Sequence, residues 1–292
     1  MIPLLERYNA QLRTLEDTHV LMLNRILDAS FNRLIRRVRV HMRAGYVDPV
    51  NRNLALLQDF RQLVPAYRPD RVDAYDRLLR SLLGSSGRYG LGAAGDLTAE
   101  MDPARKRIDV SIPLDATAAA AAQAKGYLVK HGQAFAETSA VTVGQGIAEG
   151  RPTDAITRDL QERLNVTRAR AETIARTESL RSYNLAADRY YAAQRIDEVM
   201  YYATSDDRTC NVCAPRAGQV YRRGTISVPL HPRCRCYLAP WSLDTEKLDP
   251  SYSARRSKHA DEVSRHYNAA QGLPSLSRAA VFEQIAPSPL RV

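Results

Sequence analysis

The sequence predicts a mainly α-helical protein with a small cysteine-rich β module, an α+β fold of long helices and a short β-ribbon around residues 199–240. Three observations carry this expectation. Apolar residues recur at helical spacing over long stretches with no Gly or Pro between them. Beyond Asp197 the chain changes to short runs of β-branched and aromatic residues. All four cysteines fall between Cys210 and Cys236, inside that β-type stretch.

The first element is the longest. Leu4, Leu5, Tyr8, Leu12 and Leu15 keep a helical period, and Met22, Ile26, Phe31, Leu34, Ile35 and Val38 continue it, so residues 4–43 read as one very long helix or two stacked ones. Gly45 and Pro49 stop it. A second helix fits Asn51–Val64, ended by Pro65, and a third fits Asp70–Leu83 with Val72, Tyr75, Leu79 and Leu82 on one face. Residues 84–95 then hold five glycines, which lose much backbone entropy on ordering, so this stretch is expected to be a loop or hinge. Asp115 is a good N-cap for an Ala-rich helix over Ala116–Thr138. After a turn at Gly146–Pro152, Thr153 caps a helix with Ile156, Leu160 and Leu164 on one face, and beyond Asn165 a further helix covers Thr167–Arg195. Strands are expected at Val199–Thr204, Gln219–Tyr221 and Tyr237-Leu238, a helix is suggested at Lys258–Tyr267, and the Pro/Ser-rich end reads as an extended arm. The resulting division is a helical region 1–83, a Gly-rich linker and extended segment 84–114, a module 115–241 and a C-terminal arm 242–292.

Composition narrows the class. The 292 residues are 45% apolar and 25% charged, which is an ordinary globular balance. The longest apolar run, around Ala118–Ala122, is far short of the roughly 18–20 residues that span a bilayer, so no membrane partner is expected. Charges arrive at Glu6 and Arg7, which argues against a secretory leader there, so the chain is expected in the cytosol of its producing cell. The net charge of +10 is almost entirely Arg and lies outside residues 115–200, where 11 basic residues balance 11 acidic ones. A soluble basic surface and a non-specific contact with nucleic acid both satisfy it. Arg33, Arg36, Arg37, Arg39 and Arg43 crowd into eleven residues of the first helix, with Arg36, Arg39 and Arg43 on one face.

The informative constellation is Cys210-Asn211-Val212-Cys213 followed by His231-Pro232-Arg233-Cys234-Arg235-Cys236. A C-x-x-C turn brings two sulfurs to one point, and a second turn completes the tetrahedral sulfur and nitrogen shell that zinc prefers. Gly218, Gly224 and Pro229 between the two supply hairpin turns. Cys210, Cys213, His231, Cys234 and Cys236 are five candidates for four places. Structural zinc, disulfides or paired thiols, and plain buried thiols are the three readings of this set.

Enzyme chemistry is not expected, nor is a small-molecule substrate. The glycines at 84–95 lack the Gly-Lys-Ser/Thr of a phosphate loop. Four crowded cysteines argue against a single nucleophile, and a closed sulfur-rich shell argues against a hydrolytic metal. No second His follows the Cys-x-Cys in the way a His-based nuclease requires.

Between Asp154 and Trp241 the residues resemble a known family. The helix motif Ala171-Glu172-Thr173-Ile174-Ala175-Arg176-Thr177-Glu178 leads through Asn184 to Thr204-Ser205-Asp206-Asp207-Arg208-Thr209-Cys210. Cys213, Gly218-Gln219-Val220-Tyr221 and the closing Pro229-Leu230-His231-Pro232-Arg233-Cys234-Arg235-Cys236 follow. This order is similar to the phage Mu protein F-like minor head proteins. The resemblance implies that 115–241 is a head-morphogenesis domain of a tailed-phage minor capsid protein, present in few copies. Its implied partners are the portal protein or the major capsid protein. Its implied place is the virion head or neck, reached from the host cytoplasm, with oligomeric state set by assembly. A basic zinc-containing DNA-binding protein inside the capsid is the alternative. Arg176 and Glu178 alone read as a solvated helix face, but beside the ribbon they are expected to pin the helix to it by charge-assisted hydrogen bonds. Asp206 and Arg208 are expected to anchor the turn, Asp207 to be solvated, and Trp241 to pack in a core.

Overall fold

A computed structural model describes residues 2–43, 69–111, 114–242 and 250–272. The expected helix Asn51–Val64, its flanking breaks and the C-terminal arm beyond Gly272 lie outside the described residues. The fold is mainly α with one small antiparallel sheet, as expected. Four long helices, α1 (Ile2–Arg43), α2 (Pro69–Met101), α3 (Leu114–Ala148) and α4 (Thr153–Ala193), precede the sheet. Strands β1 (Glu198–Tyr202), β2 (Val220–Arg222) and β3 (Tyr237–Trp241) form it, and helix α5 (Pro250–Ala270) follows.

The chain divides into two compact units, each built from separate segments. One comprises Met1–Leu12, Ser85–Pro113 and Leu180–Val292, and the other Arg13–Gly84 and Leu114–Ser179. The second unit is helical, with a core in which Leu23, Leu27, Phe31 and Ile35 of α1 meet Leu79, Leu82, Leu128, Phe135, Ile156, Leu160 and Leu164. The buried stripe of α1 therefore passes through Leu23 and Leu27, while Met22, which the sequence pattern placed on it, is 43% exposed. Both register choices obey a helical period, and tertiary packing selects between them.

The first unit holds the sheet, in the order β2–β1–β3. Glu198 pairs with Arg222 on one side of β1 and with Trp241 on the other, and Tyr202 pairs with Tyr237. Pro240 sits in β3, where an edge strand needs no outward N–H. Every residue of β3 is buried. Trp241 is 2% exposed and packs in the core, as expected. His259 of α5 stacks on Tyr202 with ring centroids 4.3 Å apart.

Two expectations about breaks are corrected. Residues 84–95 are helix, the second half of α2, not a loop. A Cβ on Gly90 would meet the Tyr183 carbonyl oxygen at 2.2 Å, so glycine there lets α2 touch the backbone of α4 within the first unit. Ala93 and Ala94 are fully buried beside it. Close backbone packing outweighs the roughly 0.5–1 kcal/mol that a helical glycine costs. Likewise α4 runs unbroken through Asn165. The other boundaries follow local chemistry. Helix α3 begins at Leu114, which places Asp115 inside the first turn instead of at the cap. It closes with Gly150 at φ +67° and a hydrogen bond of 2.8 Å from Arg151 N–H to the Gly146 carbonyl, the six-to-one closure of a left-handed cap. Arg195, at φ +54°, ends α4 by the same device, with Ile196 N–H donating to the Tyr191 carbonyl at 2.9 Å.

Candidate metal centre

Two tight turns face each other beyond the open end of β1. In the first, Cys213 N–H donates to the Cys210 carbonyl at 3.1 Å and Ala214 N–H to the same oxygen at 2.9 Å, starting the short 3-10 helix Ala214–Arg216. In the second, Cys234 N–H donates to the His231 carbonyl at 3.2 Å, with Arg233 at φ +60° completing the reversal. The two turns converge. His231 Nε2 lies 3.2 Å from both the Cys210 and the Cys213 sulfur, and the Cys213 and Cys234 sulfurs are 3.9 Å apart.

All five expected donors are thus brought together, as two triads sharing Cys213. One is Cys210, Cys213 and His231, and the other is Cys213, Cys234 and Cys236; within each, the donor atoms lie inside 4.8 Å of one another. The four cysteines are free thiols. The set fits a borderline-soft cation by its chemistry and by the ring orientation of His231. His231 Nδ1 lies 2.8 Å from the Pro232 carbonyl, which can only accept, so Nδ1 carries the proton and the Nε2 lone pair faces the sulfurs. Tyr201 donates its hydroxyl to Cys213 Sγ at 3.2 Å from the buried side.

Crowding sets the electrostatics. Hydrogen bonds from Cys213 and Cys236 hold the Cys234 thiol well below its ordinary range, with backbone N–H groups of Leu230 and Cys236 adding to the effect. Cys213 is pushed strongly up, first by its hydrogen bonds with Cys234 and Cys236 and then by burial. Burial, followed by the neighbouring sulfurs, raises Tyr201 well above its ordinary range, which keeps its hydroxyl a donor. A bound cation allows the ligating thiols to ionise.

The turn before Cys210 is held by an ion pair that residue types alone did not reveal. Arg235, between Cys234 and Cys236, binds both carboxylate oxygens of Asp206, one at 2.6 Å. Burial would raise the Asp206 carboxyl, but Arg235 and the Arg208 N–H outweigh it and hold it down to about 2. Asp206 Oδ1 also accepts from Arg208 N–H at 3.0 Å, and Thr204 donates to the Arg235 carbonyl at 2.6 Å. The Arg208 guanidinium is exposed and 3.5 Å from Asp206. Asp207 is exposed.

The ion pairs of Arg176 are made within the helical unit. Arg176 pairs with Glu16 at 3.2 Å, Asp17 at 2.6 Å and Glu172 at 2.8 Å, so its charge-assisted bonds hold α4 to α1 in the helical unit. Glu178 is buried at 6% exposure in the same unit. Asn184 joins α4 to the ribbon: its Nδ2 donates to the Cys236 carbonyl at 3.5 Å and its Oδ1 accepts from Leu238 N–H at 3.1 Å. Tyr191 adds a hydroxyl bond of 3.2 Å to the Leu238 carbonyl. The available signal for Asn184 and Arg235 was their place in the motif that resembles the family.

Residues 139–239 match the family described as phage Mu protein F like protein. The match runs from α3 into β3 and covers the five candidate donors, Asn184, Asp206 and Arg235. No curated protein and no solved structure matches the chain.

Proposed function

We propose, from this phage Mu F-like segment, that the chain is a structural minor head protein of a tailed bacteriophage. In this reading it docks at the portal or the inner shell during head morphogenesis, assembles in the host cytoplasm and stays in the head or neck of the virion. Residues 115–241 carry the family's assembly role, with the helical N-terminal part and the C-terminal arm as contact surfaces for portal or major capsid protein. The single observation behind the reading is the family match, which coincides with the cysteine module.

The metal in this reading is zinc and its task is structural. Its site has a sulfur-rich donor set with a neighbouring carboxylate, Asp206, that is committed to Arg235. A hydrolytic zinc instead keeps an open position beside a free base. Removing the ion is expected to loosen the ribbon while leaving the helical unit folded.

The localisation test is direct. Purified heads of a phage encoding this chain should contain it in few copies, with density at the portal or inner shell by electron cryo-microscopy. Heads that form, package and infect normally without the chain would overturn the assembly role. Salt-sensitive binding of the purified protein to DNA, with no binding to portal or shell protein, would replace it with the DNA-binding alternative.

A further inference from the structure

We infer which four of the five donors form the shell: Cys210, Cys213, His231 and Cys234, with Cys236 a supporting thiol outside it. The inference rests on the metal reading above and deepens it. Its basis is the matching geometry of the two turns. Each presents donors three residues apart, and in each the N–H of the second donor residue closes onto the carbonyl of the first, Cys213 to Cys210 and Cys234 to His231. Two such turns face to face present two donor pairs for a tetrahedral ion to draw together, with Cys213 common to the two triads the structure forms. Cys213 already bridges them, at 3.2 Å from His231 Nε2 and 3.9 Å from the Cys234 sulfur. The latter is close to the edge of about 3.8 Å implied by zinc–sulfur bonds of about 2.3 Å at tetrahedral angles.

Cys236 is placed differently. It stands outside the second turn, at the entrance to β3, and its carbonyl is held by Asn184 from the side of α4. Its backbone N–H, like that of Leu230, is near enough to the Cys234 sulfur to favour the thiolate. Amide hydrogens directed at a sulfur belong to the supporting contacts of a ligand, which orient it and offset its charge. Strand β3 thus fixes Cys236 as the residue that orients Cys234.

The test is metal stoichiometry of the full-length chain under reducing conditions. Zinc alone is titrated and counted by native mass spectrometry, and cobalt substitution reports the sulfur count through its absorption bands. Wild type is expected to hold one zinc, with cobalt bands of a three-sulfur, one-nitrogen site. Cys236→Ser should keep one zinc and those bands, losing no more than the roughly 10–100-fold in affinity that an outer contact carries. Cys234→Ser should lose more than that and lose a sulfur from the cobalt spectrum. Circular dichroism of both variants separates loss of a ligand from loss of fold. Folded Cys236→Ser without metal beside Cys234→Ser with it would reverse the assignment. Loss of metal from both folded variants would also overturn it. Two zincs in wild type would mean that the triads sharing Cys213 each hold an ion, and would refute the four-donor shell. No zinc in wild type would refute the metal reading itself.

Discussion

At the scale of single residues, two carboxylates respond to pH with opposite sign. Asp206 is held down to about 2, so its contribution is present above the ordinary carboxylate range and is lost as pH falls from about 4 toward 2. Asp206→Asn should cost roughly 1–3 kcal/mol at pH 7, where it leaves Arg235 without its charged partner. Thermal melts at pH 7 and pH 3 check this, because the gap to wild type should narrow at the lower pH. A gap that is equal at both would mean that the ion pair does not hold the turn. Glu16, in the helical unit, is raised from 4.5 to about 7 by burial, against the pull of Ser179 and Arg176. The folded state therefore keeps its proton longer than the unfolded chain does, and stability declines as pH rises from about 4.5 through about 7. Glu16→Gln, which keeps an acceptor for Arg176, should melt above wild type at pH 8 and close to it at pH 4.5. An equal shift at both would disprove the titration. The five candidate donors could be picked out from sequence because sulfur and imidazole announce their chemistry, and the structure brings them together. Arg235 and Asn184 stood in the family-like motif, but their tasks could not be read there, because an arginine or asparagine acquires its task only from the partner the fold supplies.

At the scale of elements, the long helices were readable wherever apolar residues kept a 3.6-residue period, and the strands wherever β-branched and aromatic residues clustered. The glycine-rich half of α2 was misread because backbone entropy is a local argument, and the gain that offsets it lies across the packing with α4. A pair of substitutions separates the two effects. Gly90→Ala drives a methyl group into the Tyr183 carbonyl and should destabilise the protein by about 1–3 kcal/mol or more. Gly126→Ala, on α3 with nothing within 4 Å, should stabilise it by about 0.4–1 kcal/mol. Denaturant unfolding of both variants provides the comparison. Gly90→Ala as stable as wild type would mean that the helices can separate there at no cost.

At the scale of the whole chain, the N-terminal turns of α1 are part of the unit that carries the cysteine module. Leu5 and Leu12 are buried in the unit that holds the sheet, and Asn9 accepts the Tyr237 hydroxyl at 2.7 Å. Deleting residues 1–12 should therefore speed hydrogen exchange of the β3 amides, whereas unchanged protection would show the sheet to be self-sufficient. Docking is better tested in the intact chain. Arg36 and Arg39 are exposed on α1, and reversing both to Glu should lower the copy number per head without lowering the melting temperature. Normal copy number would remove that face of α1 from the docking surface.

The discontinuous unit also bears on how the chain is made. Asn9 and Tyr237 are separated by 228 positions, so the first turns of α1 leave the ribosome long before their partner strand exists. At a synthesis rate of about 5–20 residues per second that interval is on the order of ten to forty seconds. The helical unit, complete by Ser179, is fully translated before any strand of the sheet has appeared. During that interval residues 2–12 have their early partners in α2, such as Asp96 for Tyr8, but lack the cover that the sheet supplies. A nascent chain stalled between Ser179 and Glu198 should be the form most readily cleaved near its N-terminus or held by a chaperone, and release past Trp241 should end that vulnerability.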